Sequence, residues 1–569
     1  LQDESRTPAQ SIVADPAPQT LRVIPFGGCG EIGMNCMALE YEGQLLMVDC
    51  GQMFPDEEML GVDYVIPDLR YVIERAERLQ AIVLTHAHED HVGALPYVLP
   101  HFPGVPVYGT EFTLALLKEK LREHHLDRTT NWQQFEPRRR VTLGHFQVEP
   151  LTVTHSTIDA AALAIRTPAG VIIHSGDYKM DPTPPDGMVF DHYTFARYGE
   201  EGVLLLTADS TNVERPGSSP SERTVIPELD RLIAQAPRQV IVATFASSLH
   251  RIQTILNLAA RHNRTVFVTG LNMERNIRIA AQLGAIEVPC RFEDDNRLIA
   301  QTAPERRLIL TTGSQGEPLS ALSRMALDDH RQIAVEPEDA VILSSRIIPG
   351  NERSIFRMIN HFARRGAHVY HEQTHPVHVS GHGYSDDMRH LINLVNPRYV
   401  MPVHGEYRHL IAHRNLARSM GYENERILII EDGQSVEFRE GRAQPGPKIP
   451  AGRVLVDGKG IGDVGEVVLR DRQHLSQDGM VVIVLAINRH TGEIVGGPDI
   501  LARGFIYEEA GNGILARARE IVVEACDECQ SESRGEWDIV KTSIKRALRK
   551  FFKHETERFP VILPIVLEI

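Results

Sequence analysis

Residues 81–91 read AIVLTHAHEDH, an apolar, β-branched run that ends in three histidines and two acids. Ala81–Thr85 has the character of a buried strand. Polar groups bunched at the mouth of such a strand are costly unless something pairs with them. His86 and His88 alternate by two, so both can face one side of an extended turn, while Asp90 and His91 follow a bend and face a neighbouring point. Neutral imidazole plus carboxylate is the ligand set that zinc prefers and manganese accepts. A lone histidine is usually a surface or satisfied core residue. Four ligand-type side chains within six positions point instead to a metal site on a loop at a strand end.

The rest of the chain accommodates that loop. Its 569 residues imply several domains, and 42% hydrophobic content is ample for their cores. A net charge of −16 gives no global basic field, so a polyanionic partner must be held by local cations, by metal ions or by backbone N–H groups. Cys29, Cys36, Cys50 and Cys290 read as small core residues. Cys526-x-x-Cys529 lacks the second ligand pair that a zinc site needs. So few cysteines fit a reducing, cytoplasmic compartment. No apolar run reaches the ~18 residues of a membrane span. Residues 1–20 have neither the basic start nor the apolar core of a signal peptide and read as a disordered extension.

Short strands and helices alternate from 21 to 212. Longer βα units follow over 213–366, for example QVIVATF before a helical stretch and RTVFVTG before another. Ligand-type residues return over 367–443 with HVSGHG and MPVHGEYRHL. This order predicts an α/β catalytic domain interrupted by a Rossmann-like insertion. The Gly- and Pro-rich stretch 444–465 reads as a linker, and 466–569 as a small C-terminal α/β domain.

The H-x-H-x-D-H array resembles the signature of the metallo-β-lactamase superfamily, whose fold is an αββα sandwich. The resemblance implies further ligands at later strand ends, and the sequence supplies each in order: His155 in VEPLTVTHS, Asp177 in HSGDYKMD and His404 in YVMPVHGEYRH, with Asp49 in LLMVDCG. It implies two divalent ions, zinc or manganese. His86, His88 and His155 would hold one, Asp90, His91 and His404 the other, and Asp177 would bridge them. Asp49 would orient the loop from behind.

Asp209 in LLLTADSTNVERPG and His382 in HPVHVSGHGYSDD flank the insertion and, with His404, match the extra motifs of the β-CASP nuclease group. PFGGCGEIGMNC, TFASSLHRIQ, TTGSQGEP, HVSGHG and PVHGEYRHL are similar to the bacterial ribonuclease J family. That resemblance implies a two-metal ribonuclease acting on single-stranded RNA in RNA processing and decay. It would act as a 5′→3′ exonuclease preferring 5′-monophosphate ends, and as an endonuclease. Asp90, Asp177, Asp209 and His382 would serve catalysis, His382 as the proton donor. His378, Ser380, Gly381 and His382 would hold a phosphate, as would Ser247 and Ser248 where a strand meets a helix N-terminus. It also implies a homodimer through the C-terminal domain. GSQGEP lacks the Lys of a Walker A loop, so no nucleotide cofactor is expected.

Three other readings compete. One is a β-CASP enzyme acting on DNA or on RNA 3′ ends. Another is a thioester or lactam hydrolase, which leaves Asp209, His382 and the insertion without a role. The third is a non-catalytic RNA-binding scaffold, which need not retain every ligand. Basic clusters stand at Arg138–Arg140, at Arg364 and Arg365, and on one face of a C-terminal helix from Lys545 to Lys553.

Overall fold

The computed structural model describes residues 13–569 except 57, 349, 459, 490, 492, 507 and 531–536. One compact unit runs to Met53 and from Val65 to Val454, and the other comprises Phe54–Tyr64 and Leu455–Ile569.

The first unit is built on two sheets packed face to face. The eight-stranded sheet runs in the order Arg442–Lys448, Gln434–Arg439, Leu21–Gly27, Cys36–Tyr41, Gln44–Val48, Leu79–Val83, Pro106–Gly109, Asn131–Gln134. The six-stranded sheet runs Tyr399–Val403, Leu205–Asp209, Gly170–His174, Ala161–Thr167, Phe146–Thr152, Val141–Leu143. Their apolar strands alternate. Leu46 and Val48 join the core between the sheets with Phe146, Leu163, Ile172 and Leu205, while Leu45 and Met47, equally buried, face the other way. Helices His192–Glu201, Ser385–Val395 and Tyr407–Ser419 cover the far side of the second sheet through Phe195, Leu391 and Ala417.

The insertion leaves and returns through neighbouring strands. Leu205–Asp209 lies parallel to Tyr399–Val403, with Asp209 opposite Val403. Between them, a fully parallel sheet runs Phe292–Glu293, Thr265–Thr269, Arg307–Thr311, Val240–Ala243, Ala340–Leu343, His368–His371. Its central strands are buried on both faces, as their unbroken apolar runs require. Its last strand extends to His371, beyond the boundary at 366 read from the sequence, because a short strand of two histidines, Val and Tyr carries no apolar run.

Two other segments differ from the sequence reading. Arg442–Lys448, placed partly in a linker, pairs with Gln434–Arg439 as an edge strand, a position where Pro445 and Pro447 cost little. Within the expected disordered extension, residues 13–20 are fastened down: Arg75 donates to the Val13 carbonyl at 3.0 Å, Arg22 to that of Ala14 at 3.1 Å, and Arg78 to Asp15 at 2.8 Å. Residues 1–12 lie outside the described residues.

In the second unit, strands Ile494–Arg503, Met480–Ile487 and Val561–Glu568 form a sheet in that order. Helices Glu508–Gln530 and Trp537–Thr556 cover one face, packing Val522, Ile544 and Phe552 on Val481, Ile483 and Leu485. Cys526 lies in this core, and Cys529 falls outside the described side chains. Among the described residues no helix is long and apolar enough to cross a membrane.

A buried arginine ties the insertion to the segment carrying the later ligands. Arg251, on helix Leu249–Arg261, pairs with Glu222 at 2.5 Å and donates to Ser344 Oγ at 2.5 Å and to the Val377 carbonyl at 2.8 Å. Removing one partner of a buried pair strands the other charge. Arg251→Met should therefore lower stability by about 3–5 kcal/mol, read from chemical denaturation. A change below about 1 kcal/mol would show that the pair is dispensable.

Candidate metal centre

Most ligand-type residues singled out above sit at or just past the C-terminal end of a strand, on one rim of the two sheets, whereas His378 and His382 lie in the loop between strand His368–His371 and helix Ser385–Val395. The loop after Leu79–Val83 stays extended through His86 and His88, then turns into a single helical turn, Glu89–Val92, that carries Asp90 and His91. Its backbone is clamped from the neighbouring strand end, where Cys50 N donates to the His91 carbonyl at 2.7 Å and Gln52 N to that of Glu89 at 3.0 Å. Gly51 permits this approach, since a Cβ there would stand 1.7 Å from the Asp90 carbonyl oxygen. Asp49 braces the loop: its buried carboxylate accepts from Thr85 N, Thr85 Oγ1 and His91 Nδ1, each at 2.8 Å.

Among the described residues three groups of potential metal-binding atoms result, each with its atoms within 4.8 Å of one another. The first comprises His86, His88, His155 and Asp177, the second Asp90, His91, Asp177 and His404, and the third Asp177, Asp209, His382 and His404. Asp177 belongs to all three. Its Oδ2 lies 3.3 Å from His91 Nε2, 3.6 Å from His86 Nε2, 3.7 Å from His155 Nε2 and 3.8 Å from His382 Nε2, and its Oδ1 lies 2.9 Å from His404 Nδ1.

The two sides of this cluster differ in charge. Burial holds the His86 and His155 imidazoles well below their ordinary value and lowers His88 to about 4. His155 Nδ1 donates to the Gly381 carbonyl at 2.8 Å, leaving Nε2 free. That nitrogen stands 3.1 Å from His88 Nδ1, which is itself 2.9 Å from His86 Nε2. With His155 Nε2 unprotonated, a single proton can settle only one of these two contacts, so three neutral rings leave one pair of nitrogens with lone pairs turned on one another, an arrangement that a cation relieves. Burial also pulls His91 and His404 down, but Asp177 and the other carboxylates outweigh it and hold both well above the usual histidine range. His404 Nε2, buried, lies 3.2 Å from Asp90 Oδ2. This donor set fits divalent metal ions.

The third group brings to the centre two residues that flank the insertion, Asp209 and His382. His382 Nδ1 meets Asp209 Oδ2 at 2.7 Å, which leaves Nε2 facing Asp177. Burial lowers His382, but Asp209 and Asp177 outweigh it and raise it above its ordinary value. Gly381 packs so closely that a Cβ would stand 2.8 Å from Ser156 N. Ser380 Oγ accepts from Asn212 Nδ2 at 2.8 Å and from His382 N at 3.2 Å.

His378 Nδ1 is buried and unpartnered, and the ring is held neutral by burial and by Arg251, Arg346, Lys179 and Arg215. Lys179 and Arg251 pair with Asp181 and Glu222. Arg346 bonds neutral Asn212, and Arg215 bonds the Tyr384 hydroxyl. Ser247 and Ser248 lie outside the three groups, just ahead of helix Leu249–Arg261. Ser248 occupies the N-cap position but its side chain makes no capping bond. The GSQGEP turn braces Arg346: Gln315 Nε2 donates to the Arg346 carbonyl at 2.8 Å.

Sequence reasoning missed Asn35, Thr211, Asn212, Arg215 and Arg346. Asn35 Nδ2 lies 3.0 Å from His91 Nε2 and 3.3 Å from Asp90 Oδ2, and Thr211 Oγ1 donates to Asp209 at 2.7 Å. Thr211 and Asn212 follow Asp209 by two and three residues, and Arg346 follows the strand Ala340–Leu343; strand-end position was the available signal.

The comparisons agree with this geometry. Residues 30–207 match the metallo-beta-lactamase superfamily and 366–427 the Zn-dependent metallo-hydrolase RNA specificity domain. Residues 237–362 match the ribonuclease J beta-CASP domain and 467–569 the ribonuclease J C-terminal domain. Ribonuclease J2 of Bacillus subtilis is 40% identical over 97% of this chain and 99% of its own length. Ribonuclease J of Thermus thermophilus is 40% identical over 96% of this chain and 95% of its own. A crystal structure of a protein of unknown function from Enterococcus faecalis shares the fold, with a TM-score of 0.52 at 16% identity over 74% of this chain and all of that one. With identity of this level running the length of the chain, and with both ribonuclease J domain types present, the protein belongs to the ribonuclease J family.

Proposed function

We propose that this chain is a metal-dependent ribonuclease that hydrolyses phosphodiester bonds of single-stranded RNA with two divalent ions, zinc or manganese, per subunit. The observation that carries the reading is the buried Asp177 carboxylate shared by three ligand groups. His86, His88 and His155 would hold one ion, Asp90, His91 and His404 the other, and Asp177 both. Bound ions would lower the pKa of a shared water and stabilise charge on the attacked phosphoryl group.

The chain's own residues do the rest. Asp49 fixes the His91 tautomer by accepting from Nδ1, leaving Nε2 as the ligand atom. Asp209 does the same for His382, whose Nε2 proton then faces the centre. As the P–O3′ bond breaks, that proton passes to the leaving 3′-oxygen. A phosphate beside the centre would meet Ser380, His378 and His382, in the field of Arg346 and Arg215. The helix N-terminus at Ser247 and Ser248, where the Ser248 hydroxyl makes no capping bond, suits the 5′-terminal phosphate of a monophosphorylated end, which favours 5′→3′ exonuclease action; internal cleavage would use the same centre.

Two readings stand beside this. The buried free thiols of Cys29, Cys36 and Cys50 support a reducing cytoplasm. The uncovered face of the C-terminal sheet supports a homodimer through that unit: Leu501, Leu563 and Leu567 are 53%, 44% and 50% exposed on one surface.

End-labelled RNA tests the activity. Metal-supplied protein should degrade it, 5′-monophosphate faster than 5′-triphosphate ends, and Asp90→Asn should abolish turnover with an unchanged circular dichroism spectrum. Turnover surviving in that variant would refute the reading.

Metal binding has a predicted sign. In the metal-free chain His91 and His404 carry the second, imidazolium proton at neutral pH, while His86, His88 and His155 are neutral imidazoles. Ions entering the Asp90, His91 and His404 group must displace protons, so affinity there should rise with pH. Affinity at the first group should change little around neutrality. Calorimetry in buffers of different ionisation enthalpy counts the released protons, and equal release at both groups would contradict the assignment.

Asp209→Asn removes a cause of the raised His382 value, so burial should prevail. A general acid works only while protonated, so the descending limb of kcat against pH should move to lower pH and kcat should fall about 10²–10⁴-fold at the former optimum. An unshifted limb would remove His382 from that role.

A further inference from the structure

Helix Trp537–Thr556 of the second unit carries a charge pattern that the nuclease centre leaves unused. Its buried stripe is Val540, Ile544, Leu548 and Phe552, spaced four apart and set in that unit's core. At about 100° per residue, Lys545, Arg546, Arg549, Lys550 and Lys553 fall within one arc away from that stripe. All five are exposed. Between Asp538 and Glu555 the helix contains no acid. Among the described residues, its ion pairs are Lys541 with Asp538 and His554 with Glu555, and none involves the five. Lys553 lies 5.6 Å over the Phe559 ring.

A merely solvated helix face mixes its signs. The neighbouring helix Glu508–Gln530 does so, with Arg517 beside Glu520 and Glu524. Here Lys545 and Arg549, Arg546 and Lys550, and Arg549 and Lys553 are like charges four residues apart, which destabilise an isolated helix. The helix dipole accounts for Lys553 in the last turn but not for the four cations before it. In a chain of net charge −16, such a patch invites a polyanion. A membrane-lying helix needs an apolar face free to enter lipid, and this helix has already committed its own to the core.

We propose that this face is a second RNA-docking surface, holding backbone phosphates of long single-stranded RNA without reading sequence. The proposal rests on the ribonuclease reading above. From Lys545 to Lys553 the helix rises about 12 Å, room for more than one phosphate.

The test uses the full chain carrying K545Q/R546Q/R549Q/K550Q, since Gln preserves helix propensity. Binding of a long unstructured RNA, measured across a salt series, should weaken about tenfold at low salt, and the log–log salt slope should flatten by up to about 3. Turnover of a short 5′-monophosphorylated oligonucleotide should stay within about twofold, reporting an intact centre. The charge-keeping variant K545R/R546K/R549K/K550R should bind long RNA as the unsubstituted chain does. An unchanged salt slope, as expected if the patch serves an acidic protein instead, would overturn the proposal. So would equal weakening on short and long RNA. Failure of the unsubstituted chain to cleave any RNA would instead remove the ribonuclease reading itself.

Discussion

One buried carboxylate, that of Asp177, stands among six imidazoles, and the rest of the first unit is arranged to keep it there. An isolated charge at such depth would be intolerable. His91, His404 and His382 offset it with positive charge, while His86, His88 and His155 stay neutral and present lone pairs. That asymmetry within a few ångströms separates rings already set to bind a cation from rings that must first lose protons to do so.

Two stacked sheets solve the problem of bringing distant residues to one point. Each strand that contributes a ligand ends on the same rim, so the turn after it needs to carry its side chain only a short way. The rim is then stiffened from behind by groups that no ion would touch. Asp49 holds Thr85 and His91, Gly28 O accepts from His404 N at 2.6 Å, and Gly381 lets its carbonyl reach His155. His404 and Asp49 both adopt left-handed backbone, φ 52° and 57°, a conformation costly for side-chain-bearing residues and tolerated where surrounding bonds fix it.

The clustering of these histidines and aspartates was legible because most are chemically unusual side chains at the end of an apolar run, and their order along the chain resembles a known signature. The parallel character of the insertion was legible for a related reason, since buried strands must be apolar throughout. Arg346 and Arg215 were not, because an arginine in a loop has no periodic neighbour to betray what it faces. Asn212 was equally silent: its amide matters only for bridging Ser380 to Arg346, a contact between segments far apart in sequence. Pro445 and Pro447 misled in the opposite direction. Proline content resembles a linker, and only a sheet edge with no need of those donors reveals a strand.

The pairing of Asp209 with Val403 also fixes a temporal order. During synthesis the amino-terminal sheet and the first histidines emerge early, but the strand ending at Val403 and the imidazole beyond it are delivered only after the entire inserted domain has been translated. A polypeptide still on the ribosome, or one cut short by a damaged message, therefore exposes an open rim lacking its last imidazole. The centre thus acquires its full set of side chains only after the inserted domain between Asp209 and Val403 has been made.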